Sequence, residues 1–135
     1  MKRPSQALPK LHRILVVEDN LDQLHSFALL LKEMGHSVDF AINGYVAYDA
    51  ARRCRPSVVV LDLGLPGMTG FEVATQLRKD PEMSSVRIVA LTAYDDDKYR
   101  ERAKAVGIDE YYVKPMNPQK LYEIFGDEKD GSSKA

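Results

Sequence analysis

Short apolar segments alternate along the chain with longer segments whose apolar residues recur at helical spacing. Four of the short segments, at residues 14–17, 58–61, 86–91 and 111–113, are almost continuously apolar, and a fifth, at residues 38–42, alternates apolar with polar or small residues. Continuous apolar runs of this length are typical of strands that are covered on both faces, whereas alternation is typical of a half-covered strand. The pattern therefore predicts five strands.

The segments between and after those strands predict five helices. In the first, apolar residues recur from Leu24 to Met34 at helical spacing, and Gly35 ends the pattern. The other helices are predicted at residues 46–54, 71–79, around 99–106 and around 121–125. Strands that alternate with helices, without a repeated sequence period, predict an α/β fold: a three-layer sandwich with an open parallel sheet between two layers of helices.

The order of the strands in the sheet can be predicted from their polarity. The second strand alternates, and the fifth begins with Asp109 and Glu110, so these two are expected at the edges. The first, third and fourth strands are then inside, as in the flavodoxin-like order 2-1-3-4-5, whose switch point lies between strands one and three. Glu18, Asp19 and Asp62 follow those two strands and are expected to meet there.

Length, charge and cysteine content exclude several classes of protein. A chain of 135 residues with a formal charge of −1 is expected to form one domain without a general attraction to nucleic acid or to a membrane. The single cysteine, Cys54, fits a reducing cytoplasm, and no apolar run is long enough for a membrane span. We expect a cytoplasmic domain at residues 13–125, a flexible basic tail at 1–12, and a disordered tail or linker stub at 126–135.

The expected meeting of three carboxylates points to a metal site. At a separation of about 4 Å, each pair repels by about 4 kcal/mol if the effective dielectric constant is near 20. A divalent cation offsets such repulsion, and oxygen ligands without a nearby His or Cys favour Mg²⁺ over zinc. His12, His25 and His36 lack the spacing of metal ligands and are predicted to lie at the surface or at an interface.

Two further strands end in residues that suit a phosphoryl group. Thr92 follows the fourth strand and can donate its hydroxyl to an anionic oxygen, and Lys114 follows the fifth and supplies a positive charge. Asp62, central among the strands, is the carboxylate best placed to attack phosphorus and form an acyl phosphate. Each residue alone would more often be a helix cap, a turn residue or a surface side chain. Their combination favours the shared site.

Four motifs carry a family resemblance. They are VVEDN at residues 16–20, LDLGLPGMTG at 61–70, ALTA at 90–93 and VKP at 113–115. In this order at strand ends, they resemble the receiver domain of bacterial two-component response regulators, of the chemotaxis-regulator type, over nearly the whole chain. The resemblance implies that a histidine kinase or a histidine phosphotransfer protein donates a phosphoryl group to Asp62, and that the domain assists its own phosphorylation and dephosphorylation without being a small-molecule enzyme.

The resemblance also implies roles for other residues. Mg²⁺, for which Mn²⁺ is an expected substitute, would be held by Glu18, Asp19, Asp62 and the carbonyl of Gly64. Phosphoryl oxygens would be bound by Thr92, Ala93 and Lys114. Thr92 and Tyr111 would move together as a switch that reshapes the surface for a downstream protein partner, and the Lys114–Pro115 bond would be cis.

Three other functions remain open from the sequence. A metal-dependent phosphohydrolase would also use Asp62 as a nucleophile, but such enzymes usually place an acid two residues further on, where this chain has Gly64. A dinucleotide-binding module would require a glycine-rich first turn, and this chain has Glu18-Asp19-Asn20 there. A receiver-like scaffold that is never phosphorylated would have no need to keep all five polar residues.

Overall fold

The computed structural model describes residues 11–125, and within them five strands alternate with five helices. The elements are β1 (Arg13–Val17), α1 (Leu21–Glu33), β2 (Ser37–Ala41), α2 (Gly44–Cys54), β3 (Val58–Asp62), α3 (Gly70–Lys79), β4 (Arg87–Thr92), α4 (Asp97–Ala105), β5 (Glu110–Val113) and α5 (Pro118–Phe125). The predicted order of elements is confirmed, with boundaries that shift by a few residues. Residues 1–10 of the tail predicted at 1–12, and the whole tail predicted at 126–135, lie outside the described part of the chain.

The five strands form one parallel sheet in the order β2-β1-β3-β4-β5. The flavodoxin-like order predicted from strand polarity is therefore confirmed. Val17 is paired with Leu61 across β1 and β3, so the two strands end at the same height. This register places Glu18, which follows Val17, beside Asp62, the last residue of β3.

Alternate residues of the inner strands pack into two separate cores. Leu15 and Leu61, both fully buried, belong to the core beneath α2 and α3. Ile14 and Val60 point to the opposite face, where the core includes residues of α1 and α5. Each fully buried aliphatic side chain stabilises the fold by about 1.5–3 kcal/mol. The alternating pattern of β2 correctly predicted an edge strand, but Phe40, one of its apolar residues, is exposed, and Ala41 is the buried residue of the strand.

The residues that cap the first four helices are different from the predicted site residues. The side chains of Asn20, Asn43, Thr69 and Asp96 each accept a hydrogen bond from the backbone N–H three residues further on, at the start of α1, α2, α3 and α4. Such caps contribute about 1 kcal/mol each. Asn20 and Asp96 therefore cap α1 and α4, and the candidate site residues Asp19 and Thr92 do not.

His36, predicted to lie at the surface or at an interface, is buried inside the domain. Its side chain is buried, Nδ1 accepts a hydrogen bond from the backbone N–H of His12 at 3.0 Å, and Nε2 is 3.1 Å from the backbone oxygen of Phe125. Since Nδ1 acts as an acceptor, Nε2 carries the proton and donates it to Phe125. His36 therefore ties the start of β1 to the end of α5, and residue 12 is part of the fold rather than of the predicted tail.

We expect this histidine to make the fold sensitive to acid. Burial lowers the pKa of His36 from 6.5, although the bond to the Phe125 oxygen opposes that shift. Below pH 6.5 the unfolded chain takes up a proton that the folded chain resists, so the free energy of unfolding falls as pH decreases, by at most about 1.4 kcal/mol per pH unit. Chemical denaturation between pH 7.5 and 5.5 measures this effect.

The matched variants of this test are His36→Gln and His25→Gln. Gln at position 36 offers an oxygen and an N–H in place of the two ring nitrogens but does not titrate, so the free energy of unfolding should fall less over this range than in the parent, by a difference of at most about 1.4 kcal/mol. His25 is exposed on α1, and its replacement should leave the parent's pH profile unchanged. Parallel curves for the parent and His36→Gln would contradict the role assigned to His36.

Candidate functional site

The candidate site lies along the carboxyl ends of β1, β3, β4 and β5, and backbone hydrogen bonds fix the residues that leave those strands. The N–H of Glu18 donates to the oxygen of Ala41 at 3.1 Å, and the N–H of Lys114 donates to the oxygen of Thr92 at 2.8 Å. These bonds continue the sheet ladder one residue beyond the strands. The side chains of Glu18 and Lys114 are thus held at the rim from which Asp62 also emerges.

Glu18, Asp19 and Asp62 meet at this rim as the sequence predicted. Each offers a carboxylate oxygen, and the three oxygens all lie within 4.8 Å of one another. Glu18 and Asp62 are buried, with 5% and 9% of their surface exposed, while Asp19 is exposed. Three hard oxygen donors at this spacing, open to solvent on the Asp19 side, fit Mg²⁺.

Lys114 is the cation that pairs with this cluster among the residues described by the structure. Its Nζ lies 3.0 Å from Oε1 of Glu18 and 3.3 Å from Oδ2 of Asp62. Burial by itself would lower the pKa of Lys114, but the hydrogen bond to Glu18 and the charges of Asp62 and Glu18 outweigh it, so the pKa is raised. Lys114 is therefore protonated at neutral pH and supplies a fixed positive charge beside Asp62.

The surroundings of Glu18 disfavour its charged form. Burial raises its pKa and the charge of Asp62 adds to this effect, whereas the N–H of Asn20 and the Lys114 ammonium lower it. The Asn20 N–H donates to Oε2 of Glu18 at 3.0 Å. Without a second cation, the site therefore carries an unrelieved repulsion between Glu18 and Asp62, which is the condition that a divalent ion relieves.

Glycines allow the backbone to approach Asp62 closely. The N–H of Gly64 donates to Oδ1 of Asp62 at 2.9 Å and fixes the orientation of the carboxylate. At the start of α3, a Cβ on Gly70 would lie 2.6 Å from the backbone oxygen of Asp62 and 2.8 Å from Cα of Leu63. Only glycine lets α3 pack this closely beneath the end of β3. The carbonyl of Gly64 as a metal ligand stays a prediction.

Thr92 and Tyr111 are connected through the backbone of Tyr94. Thr92 is fully buried, and its Oγ1 accepts a hydrogen bond from the N–H of Tyr94 at 3.1 Å. The hydroxyl of the half-buried Tyr111 donates to the carbonyl oxygen of Tyr94 at 2.6 Å. A guanidinium, that of Arg100, lies 4.5 Å from the centre of the Tyr111 ring and pairs with Asp95. A shift of the Thr92 hydroxyl would therefore reach Tyr111 through the backbone of a single residue, Tyr94.

A groove of about 610 Å³ adjoins the carboxylates. Its lining includes Asp62, Lys114 and Ala93 together with apolar residues such as Phe27 and Met116. Ala93, predicted to bind a phosphoryl oxygen, thus lines the same groove as the predicted acceptor and the predicted cation. The Lys114–Pro115 bond next to the groove is cis, as the resemblance implied.

Two residues at the start of α1 belong to the site but were not identified from the sequence. The Gln23 side-chain oxygen accepts a hydrogen bond from Nζ of Lys114 at 2.9 Å, and Asn20 contacts Glu18 as described above. The available signal was the pair Asn20 and Gln23 at the spacing of a capping box, a pattern that indicates a helix start. That pattern does not reveal that a capping side chain contacts a lysine 91 residues away.

No helix in residues 11–125 is both long enough and apolar enough to cross a membrane.

Comparison with known proteins agrees with this architecture. Residues 14–125 match the family model described as response regulator receiver domain. The protein PilH of Pseudomonas aeruginosa is 33% identical over 109 residues, which cover 81% of this chain and 90% of PilH.

Solved structures give the same result. The chemotaxis protein CheY4 of Vibrio cholerae superposes with a TM-score of 0.81 at 29% identity, covering 85% of this chain and 96% of CheY4. The receiver domain of a sensor histidine kinase from Pseudomonas aeruginosa superposes with a TM-score of 0.77 at 29% identity, covering 85% of this chain and 94% of that one. In that structure, a magnesium ion is coordinated in the active site cleft.

Proposed function

The chain belongs to the response regulator receiver domain family, and we propose that it receives a phosphoryl group from a phosphohistidine on Asp62 in a magnesium-dependent step. The observation that carries this proposal is the convergence of three carboxylates and one lysine, delivered by β1, β3 and β5, on a single rim. Asp62 is the member of the cluster that also contacts Lys114 and the Gly64 N–H. Its two carboxylate oxygens are therefore held in one orientation, and the residue lines the groove.

The proposed transfer exchanges one bond to phosphorus for another. An oxygen of Asp62 bonds to phosphorus while the bond between phosphorus and the donor nitrogen breaks, and the electron pair stays with the imidazole, which keeps the proton on its other nitrogen. Lys114, already protonated, donates an N–H to an oxygen of the transferred group. Orientation and charge neutralisation of this kind contribute most of the catalysis in phosphoryl transfer.

Glu18, Asp19 and Asp62, with the carbonyl of Gly64, would hold the Mg²⁺ ion. When bound, the ion would supply positive charge to the oxygens of the transferred group, and Mn²⁺ would serve in its place because it also prefers oxygen ligands. The related kinase receiver with magnesium in its cleft supports this assignment. The role proposed for Thr92 and Ala93 is to bind phosphoryl oxygens on the side of β4.

Phosphorylation is proposed to act on a partner surface through Thr92 and Tyr111. If the Thr92 hydroxyl turns to a phosphoryl oxygen, the Tyr94 N–H loses its acceptor and the Tyr94 carbonyl moves with it. Tyr111 would then lose its own hydrogen bond and its place beside Arg100. The surface formed by α4 and β5 would change, which is the population shift that a downstream protein partner could read.

We propose that the donor is a histidine kinase or a histidine phosphotransfer protein in the cytoplasm, and that the domain is no small-molecule enzyme. The rival with a specific chemical basis is a phosphohydrolase with Asp62 as the nucleophile. Protonation of a leaving group would then need an acid near Asp62, but Gly64 has no side chain and the nearby Lys114 is already engaged by Glu18. The site is better suited to retain a phosphoryl group than to turn over a substrate.

Intact mass spectrometry with acetyl phosphate tests the proposal. The parent protein should gain the mass of one phosphoryl group with Mg²⁺ or Mn²⁺, and none when EDTA removes the metal, because the carboxylate cluster then repels the anionic donor. Release of inorganic phosphate is followed in the same samples. Rapid turnover of the donor without a lasting adduct would favour the hydrolase, and a protein that gains no adduct and releases no phosphate would contradict both functions.

A further inference from the structure

Lys114 has a third partner that neither the metal site nor the phosphoryl transfer requires. An ammonium group has three N–H donors. In this chain they reach Glu18 at 3.0 Å, Asp62 at 3.3 Å and the side-chain oxygen of Gln23 at 2.9 Å. The contact to neutral Gln23 is thus the shortest of the three, and the contact to the acceptor Asp62 is the longest.

Gln23 stands where it could cap the start of α1, but its side chain contacts Lys114 instead. In α3, Thr69 and Glu72 form a complete capping box, in which each side chain bonds to the backbone N–H of the other. Asn20 and Gln23 have the same spacing in α1, and the Gln23 N–H does donate to Oδ1 of Asn20 at 3.0 Å. The return bond is not made, because the Asn20 N–H already donates to Oε2 of Glu18.

The four contacts therefore close a ring. Glu18 accepts from the Asn20 N–H, Asn20 accepts from the Gln23 N–H, Gln23 accepts from the Lys114 ammonium, and Lys114 donates back to Glu18. Three of these residues lie in the segment from Glu18 to Gln23, which the start of α1 makes rigid. The ring fixes the far end of a lysine whose side chain has four rotatable bonds.

We propose that Gln23 is a positioning residue for Lys114, and this inference rests on the proposed transfer to Asp62. Glu18 and Gln23 hold two of the three N–H donors, so the third is directed to Asp62 and is the one that an incoming phosphoryl oxygen takes over. The amine is oriented before the donor arrives and need not be ordered during the reaction. Gln23 also contributes no charge, so it holds Lys114 without weakening the positive field at Asp62.

Two substitutions separate this role from that of a helix residue. Gln23→Met keeps the length of the side chain but removes the acceptor, whereas Gln23→Glu keeps an acceptor oxygen for the Lys114 ammonium. Both retain the backbone bond to Asn20. Adduct formation from acetyl phosphate and Mg²⁺ should slow by about 3- to 10-fold in Gln23→Met, the range expected for the loss of one solvent-exposed hydrogen bond, and less in Gln23→Glu. Gln119→Met, at an exposed position of α5, is the matched control.

A second measurement tests how firmly Lys114 is held, and it requires neither a phosphoryl donor nor a metal. Acetylation of Lys114 by an N-hydroxysuccinimide ester, located by peptide mass mapping, should rise by about 3-fold or more in Gln23→Met, because the neutral amine attacks the ester and loss of one acceptor makes the ammonium easier to deprotonate. Gln119→Met should match the parent, and Gln23→Glu should not exceed it.

The two measurements also separate failure of this inference from failure of the proposed function. If Gln23→Met equals the parent in both adduct formation and Lys114 acetylation, Gln23 does not position the lysine. If acetylation rises while adduct formation is unchanged, the contact exists but has no part in the transfer, and the inference is again wrong. If the parent gains no adduct, the proposed function fails, and acetylation still decides whether Gln23 holds the amine.

Discussion

Replacement of Asp62 by Asn is expected to abolish the phosphoryl adduct. The amide oxygen of Asn is a poor nucleophile, so phosphorylation by acetyl phosphate and Mg²⁺ should fall at least about 100-fold below the parent. Asn can still accept the Gly64 N–H through its side-chain oxygen, and the substitution removes one of the charges that repel Glu18. We therefore expect the free energy of unfolding to change by no more than about 1 kcal/mol.

The control for this experiment is Asp49→Asn, at an exposed position of α2 away from the rim. It removes the same charge from the protein and should be phosphorylated as the parent is. Peptide mass mapping of the parent adduct should place the phosphoryl group on Asp62. An adduct of equal yield in Asp62→Asn would mean that another residue is the acceptor, and an unfolded Asp62→Asn protein would show that the carboxylate is needed for the fold.

The fold and the meeting of the site residues could be predicted because both depend on the period and polarity of whole segments. A strand buried on both faces is apolar at every position, as in β3, while the alternation in β2 identifies an edge. Once the order is known, parallel strands deliver the residues that follow them to one rim. Glu18, Asp62 and Lys114 needed no more information than this to be placed together.

The partners of individual polar side chains could not be predicted in the same way. Gln23 could have capped α1, as Glu72 caps α3, and only the competition of Glu18 for the Asn20 N–H directs it to Lys114. The burial of His36 likewise depends on where the end of α5 lies, and α5 is distant in sequence. Tertiary contacts determine which of several similar groups a polar side chain binds. These contacts cannot be predicted from the pattern of residue types along the chain.

The site also shows why a functional cluster is costly in the absence of its ligand. Glu18 is buried beside Asp62, and burial raises its pKa, so folding disfavours the charged form of this side chain. Lys114 offsets part of the repulsion between the two carboxylates. The lysine therefore has two separable effects, one on the stability of the metal-free protein and one on the transferred group.

Replacement of Lys114 by Met is expected to separate these effects. Without magnesium, Glu18 and Asp62 lose their shared cation, and the free energy of unfolding at pH 7.5 should fall by about 2 kcal/mol. Adduct formation from acetyl phosphate should slow on the order of 100-fold, as is typical when a preorganised donor to the reacting group is removed. Lys104→Met, at an exposed position of α4, should change neither quantity.

Magnesium affinity should rise in Lys114→Met, although stability and the rate of phosphorylation fall. Lys114 repels a divalent cation bound to Glu18, Asp19 and Asp62, so its removal should tighten Mg²⁺ binding by about 3- to 10-fold, measured by calorimetry or by the shift of the thermal midpoint with magnesium concentration. A protein that binds its metal more tightly yet is phosphorylated more slowly would assign to Lys114 a direct role at the transferred group. If Mg²⁺ binding and phosphorylation were both weakened, Lys114→Met would have disrupted the rim itself, and the lysine would be a structural residue.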